Sequence, residues 1–322
     1  MASSLRYWLP IVSMALAVSV VVAHASAWTI PDIDAVPDDA KGQLIRLGRQ
    51  LTVATYAHIG PQVRDRTKRY AGNNLSCQNC HLEAGTKQFA LPFVGVFGDF
   101  PQYRAREGRI GTLEDRVNGC MTRSMNGRPL PNDSTEMRAF IAYIQFLSRG
   151  ETQEGRGAGK MPELRRPADP IHGRVVYARI CATCHGAEGQ GKPRGGFAQG
   201  YEFPPLWGAD SFNDGAGMNR LISAANFIHS NMPNGTSWQS PALSQDDAWD
   251  VGAFMIGQKR PPKAGLDLDY PKGAEKPPDA AYPPFADGLP AEQHKFGPFD
   301  PIRAKTRQAI DAPPLSNETL RR

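Results

Sequence analysis

The sequence has no basic run, few charged residues for its length (21%) and only five cysteines among 322 positions. The thinly spread charge, a formal +5, excludes the dense basic footprint that nucleic-acid binding requires. No apolar run approaches the roughly 20 residues of a spanning helix, and sustained heptads are also missing, so neither a polytopic membrane protein nor a coiled coil fits. The longest apolar stretch, Leu9 to Ala23, follows Arg6 and precedes Ala25-Ser26-Ala27. That order of positive, apolar and small residues predicts a secretory leader over 1–27, with no stable membrane span once it is removed. What the chain does have is glycine (32) and proline (28), the mark of a loop-rich globular protein long enough for two domains.

Four of the five cysteines stand in two C-x-x-C-H runs, Cys77-Gln78-Asn79-Cys80-His81 and Cys181-Ala182-Thr183-Cys184-His185. A redox dithiol, a zinc site or a disulfide could use the cysteines alone. The histidine directly after each second cysteine favours covalent c-type haem instead, with two thioethers to the porphyrin and a proximal imidazole to the iron. Two such haems are expected. Covalent haem attachment on the export side agrees with the leader and places the protein in the periplasm.

The pattern around the motifs repeats. Leu44–Ile59 reads as an amphipathic helix before the first motif, with further helices from Gly111 and from Ser134, the latter carrying Met137, Phe140, Ile141, Ile144 and Leu147 at helical spacing and stopping at Gly150. In the second half, Ile171, Val175 and Val176 lead into Cys181. Leu221, Ile222, Ala225 and Ile228 share a helical face, and Ser244 with Asp247 predicts a capped last helix through Met255. The expected fold is mainly α: two class I-like cytochrome c domains, 28–160 and 161–262, joined through the glycine-rich Gly150–Pro170 linker. An extended proline-rich tail, 263–322, packs on them through Tyr270, Tyr282, Phe285, Phe296 and Phe299.

The sixth iron position separates the halves. Met232, in Asn231-Met232-Pro233, is the expected distal ligand of the second haem, with Met218 and Met255 as competitors; thioether ligation raises a haem's potential and suits electron transfer. The first half offers the fifth cysteine, Cys120, with Met121 and Met125 as rivals. A thiolate there would stabilise ferric iron and make the two haems unequal. Arg104, Arg106, Arg109, Arg116, Arg123 and Arg128 crowd the same region, and a subset converging on the iron would bind a small anion.

The segments CQNCH, RVNGCMTRSMNGRPLP, CATCHG, FIHSNMP and FGPFDPI together resemble the dihaem cytochrome c thiosulfate dehydrogenases, over nearly the whole chain beyond the leader. Sulfur-oxidation cytochromes of the SoxA type share the cysteine-ligated haem, and the Asn-Met-Pro motif favours the dehydrogenase. The resemblance implies oxidation of two thiosulfates to tetrathionate, reversible in principle, with electrons passed to a soluble or membrane-bound acceptor cytochrome c. It also implies a catalytic first haem ligated by Cys120 and a substrate site of Gln88, Arg106, Arg116 and Ser124. Gly127 and Arg128 stand where a lysine is frequent in the family, and Asn231 replaces a lysine that in some members exchanges with the distal methionine. A passive dihaem carrier is the competing reading; it accounts for the haem motifs but not for the arginines.

Overall fold

The computed structural model describes residues 28–149 and 155–311, apart from the side chains of Phe197, Ala309 and Asp311; the expected leader 1–27 and the stop at Gly150 fall outside these residues. In the first half α1 (Ala40–Val53) and α2 (Thr55–Ile59) precede the first motif, the single turn α3 (Leu82–Gly85) follows it, and α4 (Leu113–Met121) and α5 (Thr135–Leu147) complete the unit. The second half runs α6 (Pro170–Val176), a wider turn Tyr177–Cys181, α7 (Ala182–His185), α8 (Leu221–Asn231) and α9 (Gln245–Gly257). Strand content is limited to two short antiparallel pairs, β1 (Gln102–Arg104) with β2 (Arg109–Gly111), and β3 (Lys192–Pro193) with β4 (Tyr201–Phe203). The fold is therefore mainly α, with two cytochrome-related units.

Local sequence explains the helix starts. Thr112 and Asp115 form a reciprocal capping box on α4, and the Ser134 and Ser244 side chains accept from the Met137 and Asp247 amides. The single helix expected over Leu44–Ile59 is interrupted at Ala54, whose φ of −131° and ψ of 47° lie outside the helical region. The Thr52 and Thr55 hydroxyls bond back to the carbonyls of Gly48 and Leu51, the side-chain competition that weakens helix continuity.

Each half is built on one close helix crossing, α1 on α5 and α6 on α9. Both crossings use a glycine. A Cβ at Gly48 would lie 2.1 Å from the Ala139 carbonyl oxygen, and one at Gly173 would lie 1.9 Å from that of Asp250. Around the first crossing Leu51, Met137, Ala139 and Phe140 are buried; around the second, Val176, Leu221, Trp249 and Val251. Removing each large apolar side chain from water contributes about 1.5–3 kcal/mol. Met161 and Ala168, within the expected linker, already belong to the second core. The apolar residues of α6 are split: Val176 is fully buried, whereas Ile171 and Val175 face solvent.

The segment after 262 differs from the expected extended tail, because it contains α10 (Ala291–Phe296) and α11 (Asp300–Asp311). Proline misleads here: Pro301 sits in the first turn of α11, where its missing N–H has no intrahelical acceptor to lose. The segment packs through buried Tyr270, Phe299 and Ile302, and Phe285 stacks on His294 at 4.2 Å. Among the described residues no helix is long and apolar enough to cross a membrane.

Candidate active site

Two cavities flank the two motifs. The first, of about 850 Å³, is bordered by Cys77, Cys80 and His81 on one side and by Arg116, Cys120 and Ser124 on the other. The second, of about 490 Å³, is bordered by Cys181, Cys184, His185 and Met232. Leu75, Cys80, Phe212 and Met218 border both, so the cavities share a wall.

Each histidine is prepared in the same way. His81 Nδ1 donates to the Leu91 carbonyl, and His185 Nδ1 donates to the Pro204 carbonyl at 2.9 Å. A carbonyl can only accept, so the proton sits on Nδ1 and the Nε2 lone pair is left for a metal, the usual outer-sphere device of a ligating imidazole. Burial lowers the pKa of His185, only partly offset by its backbone bond, which keeps the ring neutral and able to ligate. All four motif cysteines are free thiols, as thioether formation requires. Among the described residues no three histidines, cysteines or carboxylates gather as a metal-ion ligand set, so the cysteines do not assemble a zinc site. Free thiol pairs, Nδ1-protonated histidines and adjoining apolar cavities fit two haem c groups.

Cys120 lies near the end of α4, facing His81. Arg116, one turn earlier, places Nη1 2.7 Å from the sulfur. Burial pushes the Cys120 thiol up, but Arg116 and a protonated His81 outweigh it and bring it down to about 6; with His81 neutral, as a ligating ring must be, Arg116 is what opposes burial. Cys77, Cys80 and Cys181 go the other way, burial pushing Cys77 up to about 11, Cys80 to about 12 and Cys181 to about 11. Cys120 is therefore the most readily ionised thiol in the first cavity. Its rivals Met121 and Met125 are buried in the first core, although both also edge the cavity.

The six arginines divide. Arg104, Arg106 and Arg116 border the cavity. Arg109 pairs with Asp115 in solvent, Arg128 lies over the Tyr70 ring and donates to the Thr67 carbonyl, and Arg123 binds Asp269 at 2.6 Å. Ser124 joins Arg106 and Arg116, but Gln88 does not line this cavity; its side chain lies over Gly155.

The second half frames this site. The Asn213 amide donates to the Thr122 carbonyl and to Asn126 Oδ1, and the Asn73 amide donates to both the Ser124 and Ser211 carbonyls. Both asparagines are buried. In return, the first half buttresses the second: Asn231, fully buried, donates to the Phe89 carbonyl at 2.9 Å, and Phe89 stacks on Trp238. The backbone N–H groups of Phe89 and Leu91 donate to the carbonyls of Gly155 and Gly157. Sequence reading missed Leu91, Pro204, Asn213 and Asp269, none of which stands in a recognisable motif.

Comparison with known proteins fits this geometry. The family model described as SoxA/TsdA, cytochrome c domain, matches residues 67–152, and one described as cytochrome C oxidase, cbb3-type, subunit III, matches 168–255. A thiosulfate dehydrogenase of Allochromatium vinosum is 42% identical over 253 residues, covering 74% of this chain and 88% of that protein. The chain belongs to the thiosulfate dehydrogenase family. A solved thiosulfate dehydrogenase (TsdBA) from Marichromatium purpuratum superposes with a TM-score of 0.66 at 34% identity; the match takes in 74% of this chain and half of that one. By contrast, the SoxA subunit of an L-cysteine S-thiosulfotransferase from Chlorobaculum thiosulfatiphilum aligns over only 27% of the chain, at 31% identity. Kinship over about three quarters of the chain thus lies with the dehydrogenases, whereas the SoxA subunit aligns over about a quarter.

Proposed function

We propose that the protein is a periplasmic thiosulfate dehydrogenase that joins two thiosulfates into tetrathionate at Cys120 and passes two electrons to an acceptor cytochrome c. The observation that carries this reading is the readily ionised Cys120 thiol beside Arg116, facing His81 in a cavity that also presents Arg106 and Ser124. Cys77, Cys80 and His81 would hold the first haem c, with Cys120 to complete its ligand set, and Cys181, Cys184 and His185 would hold the second, with Met232 in that role. When bound, the haems accept one electron each and relay them outward.

The chain's own residues do the rest. Thiosulfate is a dianion, so guanidinium groups must replace its hydration and offset the repulsion between two like-charged molecules. Arg116 and Arg106 supply that charge, and Ser124 supplies a hydroxyl. A bond forms between the Cys120 sulfur and the outer sulfur of one thiosulfate as two electrons leave, giving a cysteine S-thiosulfonate. The outer sulfur of a second thiosulfate then attacks the sulfur attached to Cys120. Tetrathionate departs and the thiolate returns, as in thiol–disulfide exchange. The reverse sequence reduces tetrathionate.

Asn231 has its own consequence. Its amide is committed to the Phe89 and Phe227 carbonyls in a buried setting, so it holds the turn before Met232 rather than offering a ligand. In the purified holoprotein, thiosulfate alone should reduce haem without any partner present. Absence of reduction from acidic to neutral pH would overturn the assignment in favour of a passive carrier.

A further inference from the structure

Four arginines border the first cavity, Arg104, Arg106, Arg116 and Arg156, but a cation is useful for anion binding only if its position is fixed before the anion arrives. Arg116 is fixed by Cys120. Arg106 is fixed from outside its own domain. Its Nη1 donates to the carbonyl of Gly215, in the second half, at 2.9 Å and lies 3.6 Å from Asp269 Oδ2, beyond that half. Arg123, which does not line the cavity, reaches the same two acceptors, with Nη2 2.6 Å from Asp269 Oδ1 and Nη1 3.3 Å from the Gly215 carbonyl oxygen. Tyr282 donates its hydroxyl to Asp269 Oδ2 at 2.8 Å. Asp269 is 7% exposed, and two guanidinium groups and one phenol surround its carboxylate.

The backbone beside it is constrained as well. Tyr270 holds a left-handed φ of 58°, its amide donates to the Arg106 carbonyl at 2.8 Å, and its ring lies under the Arg106 guanidinium and lines the cavity. A non-glycine residue in that region persists only where its surroundings over-determine it. Burial opposes the charge on Arg106, and Tyr270, Tyr282 and Asp269 outweigh it, so the guanidinium enters the cavity charged.

We propose that Asp269 is a positioning residue for anion binding: it locks Arg106, with Arg123 as a second support, in the orientation that meets thiosulfate beside Cys120. The segment after the second domain is thereby part of the substrate site. This inference rests on the assignment of thiosulfate oxidation to the first cavity.

The test compares Asp269→Asn and Asp269→Glu with the parent holoenzyme in steady-state thiosulfate oxidation. Asparagine keeps the shape but loses the charge that holds both guanidinium groups. KM should rise by roughly 10-fold or more while kcat stays within about 3-fold, because an arginine freed to wander weakens ground state and transition state alike. Glutamate should recover part of the loss. A merely structural role would lower haem content and kcat together at unchanged KM, and that result overturns the proposal. A lower KM also overturns it, since Asp269 would then act mainly by repelling the anion. If Asp269→Asn does not accumulate, Tyr282→Phe removes a single bond to the same carboxylate and should raise KM by about 2- to 3-fold; an unchanged KM there counts against the proposal. Inactivity of the parent enzyme toward thiosulfate would instead remove the functional assignment, and Kd for thiosulfate, read from the ferric haem spectrum, would still show whether Asp269 governs anion binding.

Discussion

The two halves start from one plan and differ in what faces the motif histidine. Each crosses two helices on a glycine, presents a C-x-x-C-H motif and fixes its histidine through a backbone carbonyl. Across the first cavity stands Cys120, drawn down to about 6, with an arginine in contact. The second cavity is smaller, and Met232 follows a helix whose last residues are buried and neutral. The shared elements fit a haem in each half; on the proposed function, the residues facing the histidine set whether that pocket reacts or relays.

Exchanging the distal sulfurs breaks the contrast most severely. Cys120→Met retains a sulfur ligand but removes the nucleophile, and thiosulfate turnover should fall by roughly 1000-fold or more with haem content unchanged. Rapid-mixing kinetics on the holoenzyme would check this, and wild-type rates would eliminate the covalent route. On the other side, Met232→His replaces thioether by imidazole. The second haem's potential should drop and steady-state turnover should slow about 10-fold or less, while the first turnover of thiosulfate is retained. Redox titration decides it; an unmoved potential means that Met232 is not the ligand. The mildest change sharpens the likeness rather than the difference. Gly48→Ala and Gly173→Ala each force a methyl against a facing carbonyl and should cost about 1–3 kcal/mol, so thermal unfolding should show both lowered. A loss confined to one half would mean that the two crossings are not equivalent.

Much of this architecture was legible because it is local. The haem motifs, the helix starts near Gly111 and Ser134, the Ser244 cap, and the buried spacing of Leu221, Ala225 and Ile228 are all written within single segments. Cys120 stood out by arithmetic, as the cysteine the motifs left over. The interruption at Ala54 escaped because two threonine hydroxyls compete with the helix ladder at short range. The partners of the arginines escaped for the opposite reason: Asp269 lies 146 positions from Arg123 and Gly215 lies 109 from Arg106. Neither Gly-rich loops nor proline-rich segments carry a periodicity that reveals such pairings. Arginine clustering did indicate an anion pocket, but only three dimensions separate Arg106 and Arg116 from Arg109 and Arg128, which point elsewhere.

The buried asparagine at 213 gives the molecule a different natural seam from the one its linker suggests. Its amide is stitched to the loop that follows Cys120, and the Asn231 amide makes the reciprocal stitch to Phe89. A graft that replaced the second half at the glycine-rich junction would therefore import a second motif pocket and, with it, a foreign mould for the loop after Cys120. The heritable module is the pair. Successful chimaeras of this enzyme should be those whose crossover points keep 73–126 and 210–232 from the same parent.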